Sequence, residues 1–332
     1  MRPFRYEVAH DPQAAVAMVA GHPQAAYLAG GTNLVDLMKL GVEGPELLVD
    51  ITRLPLDRIE RTDGGAIRIG AAVRNSDLAA DVDVRRDAPV LAEAVLNGAS
   101  GQLRNMATTG GNLLQRTRCL YFQDIAKPCN KREPGSGCPA REGEHRNLAI
   151  LGASESCVAT HPSDLAVALA SLDAVVHVAA ADGPREVPIA EMYRSPGEDP
   201  RRDTVLDPGS LITHVVIPGA ALAGRSRYRK VRERASFAFA IASVAAVLAV
   251  DDGVVTDVRL ALGAVAPMPW RARVAEEVLR GGPADEASFR RAIGRELEAA
   301  EPLRDNAYKV PLVANVVVRT LVDLATAPEA GR

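Results

Sequence analysis

The chain has 332 residues, enough for about two domains with cores of their own. Its 47% apolar and 24% charged residues are ordinary globular usage, and a net charge of −3, from 39 Lys+Arg against 42 Asp+Glu, excludes a general nucleic-acid or membrane-surface binder. No apolar run approaches the ~18 residues of a bilayer span, and the opening MRPFRYEVAHDPQ lacks an apolar signal core, so the expectation is no membrane and a cytoplasmic start.

To about residue 53 the pattern predicts strand, helix, strand, turn, helix, strand. Residues 14–20 follow Asp11 and Pro12, an Asp cap before a short helix. In AAYLAGGTNLVDLMKLG an apolar run reaches Ala29, two glycines, Thr32 and Asn33 follow, and Leu34, Val35, Leu37 and Met38 take helical spacing. Residues 47–51 (LLVDI) are a short strand. Further on, 66–73 predicts a strand and 87–97 a helix with Val90, Leu91, Ala94 and Val95 on one face. MATTGGNLLQ is a second glycine turn. From Arg116 to about Leu151 the chain is rich in Cys, Gly and charge and has little periodicity; loops longer than ~15 residues are usually functional or disordered. HPSDLAVALASLDA predicts a helix capped by Ser163, and AVVHVA a strand that turns at Asp182-Gly183.

The stretch AALAGRS reads as a linker and puts a domain boundary near 220–225. Beyond it the charged run RYRKVRER reads as a solvated face. Residues 238–250 and 254–265, joined by DDG, predict a hairpin. Helices are expected over 270–279, 286–300 and 310–324.

AGGTN and TTGGN are near copies. Consecutive glycines let a backbone take positive φ and turn successive N–H groups onto one anion, with Thr32 and Asn33 adding side-chain donors. Two such turns fit a ligand with two phosphates. There is no GxxxxGK[ST] and no GxGxxG after a strand, so neither a Walker-type site nor a Rossmann fingerprint is present. Plain turn glycines are the competing reading.

The four cysteines, Cys119, Cys129, Cys138 and Cys157, are spaced C-x9-C-x8-C-x18-C. Zinc sites normally use at least one short C-x2–4-C pair; four separated thiolates can wrap a bulkier [4Fe–4S] cluster. From Arg116 to Arg146 there are seven Lys/Arg against four Asp/Glu, cations that would offset the negative charge of a thiolate-bound cluster. Inert buried thiols, zinc and disulfides remain the alternatives.

AGGTNLVDLMK, TTGGNL, HPSDLAVALASLDA and ASFAFAIASVAAVLAV…LALGAVAPMPWRA together resemble the FAD-binding (medium) subunit of the molybdenum hydroxylases, the xanthine dehydrogenase and aldehyde oxidoreductase family. The likeness runs over about residues 1–325. The loop RCLYFQD…CNKREPGSGCPAREGE…CVATHPSDLA is similar to that of bacterial aldehyde oxidoreductase flavoprotein subunits with a [4Fe–4S] cluster. The resemblance implies an α+β fold: a two-part FAD-binding domain of the vanillyl-alcohol oxidase type over 1–222 (parts 1–53 and 54–222, cysteine loop 116–157), then a C-terminal domain of antiparallel sheet plus helices over 223–332. It implies that Ala29, Gly30, Gly31, Thr32, Asn33 and Leu34, with Thr109, Gly110, Gly111 and Asn112, hold the FAD pyrophosphate. Asp164 would contact the flavin nucleotide, Leu211 or Ile212 would pack near the adenine or ring system, and Lys230 would stand near the isoalloxazine. Asn33 takes a position where the family often has Asp. His161 reads as structural.

No catalytic triad, paired carboxylates or His-rich site is visible. This fits a relay subunit, and the resemblance implies an electron-transfer role, fed from [2Fe–2S] clusters on a small partner that serves a large molybdenum-cofactor partner, and discharging to an external acceptor. A zinc-stabilised assembly subunit with a vestigial flavin site is the alternative. Export with a signal-bearing partner would take the chain to the periplasm.

Overall fold

The computed structural model describes residues 1–327; residues 328–332 of the expected C-terminal domain lie outside the described residues. Three sheets, each with its own helices, organise the chain. In the first, β1 (Arg5–Val8), β2 (Ala25–Leu28) and β3 (Leu47–Asp50) run parallel in the order β1-β3-β2. Parallel neighbours need crossovers, supplied by α1 (Pro12–Ala20) and α2 (Leu34–Lys39). The Asp11 carboxylate accepts from Ala14 N at 2.7 Å, and Pro12 sits where a helix has no N–H to place.

The second unit contains β4 (Ile59–Arg61), β5 (Ile67–Gly70), α3 (Asn75–Ala80), α4 (Val82–Asp87), α5 (Pro89–Asn97), α6 (Gly101–Arg104), α7 (Thr109–Leu113) and α8 (Leu120–Gln123). It continues with α9 (Asp164–Ser171), β6 (Val175–Ala180), β7 (Gly183–Pro188), α10 (Ile189–Met192) and β8 (Leu211–Ile217). Its sheet is antiparallel in the order β4-β5-β8-β6-β7. Leu211 at the start of β8 is buried in the core of the first unit, and Tyr27 Oη donates to the Gly209 carbonyl at 2.5 Å. These contacts clamp the two parts together.

The third unit is β9 (Arg225–Val231), β10 (Ala242–Asp251), β11 (Val254–Gly263) and β12 (Trp270–Arg271), antiparallel in the order β12-β11-β10-β9, followed by α11 (Arg273–Leu279), α12 (Glu286–Glu296) and α13 (Lys309–Thr326). Side chains alternate across a strand, and β10 is apolar on both faces. Ala245 and Val247 join the core of the second unit, while Val244, Ala246 and Leu248 face the core shared with α11–α13. The sheet is thus a wall between two hydrophobic layers.

Two expectations fail here. Trp270 and Arg271 pair with Leu262 and Ala261 as strand rather than opening a helix; the Trp270 indole donates to Glu296 at 2.8 Å, and the helix begins at Arg273. The run RYRKVRER is not a solvated face, because most of it lies in β9 against β10. Its period-2 alternation sends Arg229 to Asp323 on α13 and Tyr228 and Lys230 to the opposite side.

Candidate functional site

The two glycine turns meet. A Cβ on Gly30 would lie 1.9 Å from the Met106 carbonyl oxygen, just ahead of the second turn, so only glycine permits this approach. Gly31 has φ of +71°, a region that disfavours side chains. Among the described residues, no acceptor takes the N–H groups of Gly30 through Asn33. Asn33 Oδ1 accepts from Arg116 N at 3.0 Å, leaving its buried Nδ2 without a partner. The first turn is therefore a row of free donors.

The second turn differs from its near copy. Thr109 N donates to the Val73 carbonyl, Gly110 N to that of Ala71, Gly111 N to Thr108 Oγ1 and Asn112 N to the Thr108 carbonyl. Its amides are already committed, contrary to the expectation that both turns point N–H groups at an anion. The residues form α7, which Thr108 caps. What the second turn supplies is a close wall without side chains.

Two clefts open from this junction. One, of about 320 Å³, is lined by Ala29, Gly30, Gly31, Thr32, Asn33, Leu34, Gly110, Gly111, Leu211 and Ile212. The other, of about 210 Å³, is lined by Asn112, Asp164 and Lys230. Thr32, Asn33 and Gly111 border both, so the clefts join at the turns. Together they fall within the ~300–1,000 Å³ of typical cofactor sites. Thr109 is the exception among the expected residues: it is fully buried behind the wall, bonded to Val73. Sequence reasoning missed Thr108, Arg74 and Arg118, which also line these clefts; only the TTGG pattern hinted at Thr108 as a cap.

In the second cleft Asp164 is held from two sides. Tyr228 Oη donates to Oδ1 at 2.5 Å and Lys230 Nζ to Oδ2 at 2.7 Å, with Lys230 also donating to the Asn97 carbonyl at 3.0 Å. Burial and the adjacent Asp164 push the Tyr228 hydroxyl well above its ordinary value, so it stays a donor. Asn112 joins this group to the second turn by accepting from Ser163 Oγ, the cap of α9, at 2.7 Å. Beside it His161 is buried, and burial lowers its pKa to about 4.

All four cysteines are free thiols, which removes the disulfide alternative. Cys119, Cys129, Cys138 and Cys157 line one small cavity of about 10 Å³, the room of about one water. Among the described residues no group of three or more His, Cys, Asp or Glu is placed to hold a single metal ion. Nearby backbone N–H groups, of Tyr121 and Phe122 at Cys119, of Ala140, Arg141 and Val158 at Cys138, and of Ala159 at Cys157, work against the rise that burial imposes on these thiols. Burial raises the Cys119 thiol to about 11 and also raises Cys138 and Cys157, while Lys131 pulls Cys157 the other way.

The loop's cations mostly do other work than expected. Arg132 donates to the carbonyls of Tyr121, Phe122 and Lys127, and Arg141 to that of Ser154. Arg116 and Lys131 both pair with Asp203, and Arg146 pairs with Glu233. A loop with little ladder hydrogen bonding needs side-chain donors for its carbonyls.

Fold and clefts define a dinucleotide-binding subunit. Residues 2–220 match the FAD binding domain in molybdopterin dehydrogenase, and residues 226–324 the CO dehydrogenase flavoprotein C-terminal domain. The chain belongs to the FAD-binding medium subunits of the molybdenum hydroxylase family, and is an oxidoreductase subunit. It is 49% identical to the aldehyde oxidoreductase FAD-binding subunit PaoB of Escherichia coli K12 over 325 residues, 97% of this chain and 98% of that one. It is 28% identical to the carbon monoxide dehydrogenase medium chain of Hydrogenophaga pseudoflava, covering 97% of each. The fold is that of the reconstituted CO dehydrogenase from Oligotropha carboxidovorans, with a TM-score of 0.77 at 22% identity over 99% of this chain and 100% of that one. Among the described residues no helix is long and apolar enough to cross a membrane.

Proposed function

We propose that this chain is the electron-transfer flavoprotein subunit of a molybdenum-containing aldehyde oxidoreductase. It would accept electrons from [2Fe–2S] clusters on a small partner, which drains a large molybdenum-cofactor subunit, and pass them to an external acceptor. The observation that carries this reading is the junction of two clefts at the glycine turns, a shape that suits a bent dinucleotide. The free amides of Gly30–Asn33 would hold the pyrophosphate, with the bare wall of Gly110 and Gly111 opposite. Leu211 or Ile212 would pack near the adenine or ring system, Asp164 would contact the flavin nucleotide and Lys230 would stand near the isoalloxazine, with Asn112 at the second turn. The FAD cofactor supplies two-electron storage; the chain supplies position and potential. The aldehyde assignment rests on the 49% identical relative.

We further propose that Cys119, Cys129, Cys138 and Cys157 bind a [4Fe–4S] cluster. Zinc sites normally use at least one short C-x2–4-C pair, which the spacing C-x9-C-x8-C-x18-C lacks; four separated thiolates can wrap a bulkier cluster. The cavity is smaller than a cluster, so the loop must open to receive one, and Gly135 and Gly137 at positive φ give it freedom to do so. The complex purified without air is expected to show flavin bands, a broad iron–sulfur shoulder and iron on this subunit. A colourless subunit carrying zinc would support the assembly role instead. This chain alone is expected not to turn over an aldehyde.

A further inference from the structure

The second cleft has a cation that is only weakly paired. Arg118 lines it, with only 21% of its side chain exposed, yet its one hydrogen bond among the described residues runs from Nη1 to Asp36 at a long 3.4 Å. Its Nε is buried without a partner. Two residues earlier, Arg116 bonds through Nε, Nη1 and Nη2 to Asp203, Glu43 and the Arg201 carbonyl at 2.6–3.1 Å. A buried guanidinium normally satisfies most of its five donors. Arg118 does not.

Its direction is fixed from both ends. Thr117 Oγ1 donates to the Thr160 carbonyl and accepts from Cys119 N, which pins the backbone on either side. The guanidinium lies 5.0 Å from the centroid of the Phe239 ring, and Phe239 lines the same cleft. The other cation of this cleft, Lys230, is spent on Asp164 and the Asn97 carbonyl. Arg118 is therefore the cation there with donors to spare.

We propose that Arg118 stabilises the reduced form of the cofactor, its uncommitted N–H groups taking up the negative charge that reduction places at the flavin end of the cleft. This rests on the cleft assignment made above. Uptake of two electrons from an external reductant and one proton from water leaves the ring system with one net negative charge; Arg118 itself is unchanged. A guanidinium held nearby, and little screened, favours that charge. Arg118 lines the flavin cleft and directly precedes Cys119, which lines the thiol cavity.

The test is a spectroelectrochemical titration of the flavin absorbance in the complete complex. In Arg118→Gln the ratio of reduced to oxidised flavin at a fixed potential should fall about tenfold, a shift of about 30 mV downward for a two-electron couple. Arg118→Lys should recover part of it. Asp36→Asn, which removes the only carboxylate paired with Arg118 among the described residues, should shift the potential upward, and reads out the same claim if Arg118→Gln folds poorly. Unchanged potentials in Arg118→Gln and Asp36→Asn would overturn the inference. So would loss of FAD content with an unmoved potential in the FAD retained, which would mark Arg118 as an anchor only. A wild-type complex with no FAD on this subunit would instead refute the cleft assignment, and this inference with it.

Discussion

The dinucleotide clefts and the cysteine loop are built in opposite ways. The clefts are walled by regular elements: β2, α2, α7, α9 and β9 reach them from all three sheets, and their shape follows from backbone ladders and packed cores. The loop over 116–157 has only α8 and a short helical turn, and Arg132, Arg141 and Asn130 satisfy its carbonyls in place of a ladder. One site is shaped by packing alone; the other, on the proposal made above, is a frame that a cluster would finish. The first should therefore fail through packing, and the second through loss of a ligand.

The largest effect expected is at the point where the turns touch. Gly30→Ala places a methyl group against the Met106 carbonyl, with backbone rather than a flexible side chain in the way. A loss of ~3 kcal/mol or more is expected, with the clefts pushed apart, since overpacking against fixed backbone is at the upper end of such costs. Thermal unfolding and retained flavin absorbance would measure it; a wild-type melting curve would mean the turns do not abut.

Next is the buried pair in the second cleft. Lys230 and Asp164 are 1% and 10% exposed at the side chain. Removing one partner of such a pair leaves a buried charge and costs ~3–5 kcal/mol. Lys230→Met should approach this figure, less what the Tyr228 donor offsets, and adding Asp164→Asn should restore much of it. Denaturant unfolding of the single and double variants checks the coupling; additive losses would deny it.

The smallest effect is pH-dependent. His161 titrates near pH 4 in the folded chain against ~6.5 when unfolded. It is buried neutral, so the unfolded state binds the extra proton first, and stability falls as pH drops from about 6.5 towards 4. The full loss is about 3 kcal/mol, and His161→Phe should flatten that part of the stability curve. An unchanged slope in the variant would place the titrating group elsewhere.

What could be read from sequence follows the same division. Glycine pairs, caps and apolar alternation are local signals, so the turns, Ser163, the β10–β11 hairpin and the longer helices were legible, while short helices such as α3, α4, α6, α8 and α10 were not. The commitment of the second turn's amides was not, because Val73 and Ala71 lie more than thirty residues away. The run around Lys230 is a related case: charge density in RYRKVRER suggests a solvated face and says nothing of alternation until the strand has partners on both faces. In the cysteine loop the excess of positive charge was plain, but most of it serves carbonyls and carboxylates nearby, which composition cannot distinguish from charge held for a guest.

The central claim is that two cofactor sites lie side by side and are independently built. The measurement that tests it most directly is the FAD and iron content of the complex carrying Gly111→Val and, separately, Cys129→Ser. Gly111→Val should lose FAD and keep iron, and Cys129→Ser should lose iron and largely keep FAD. Equal loss of both cofactors in each variant would contradict the account and make the clefts and the loop one folding unit.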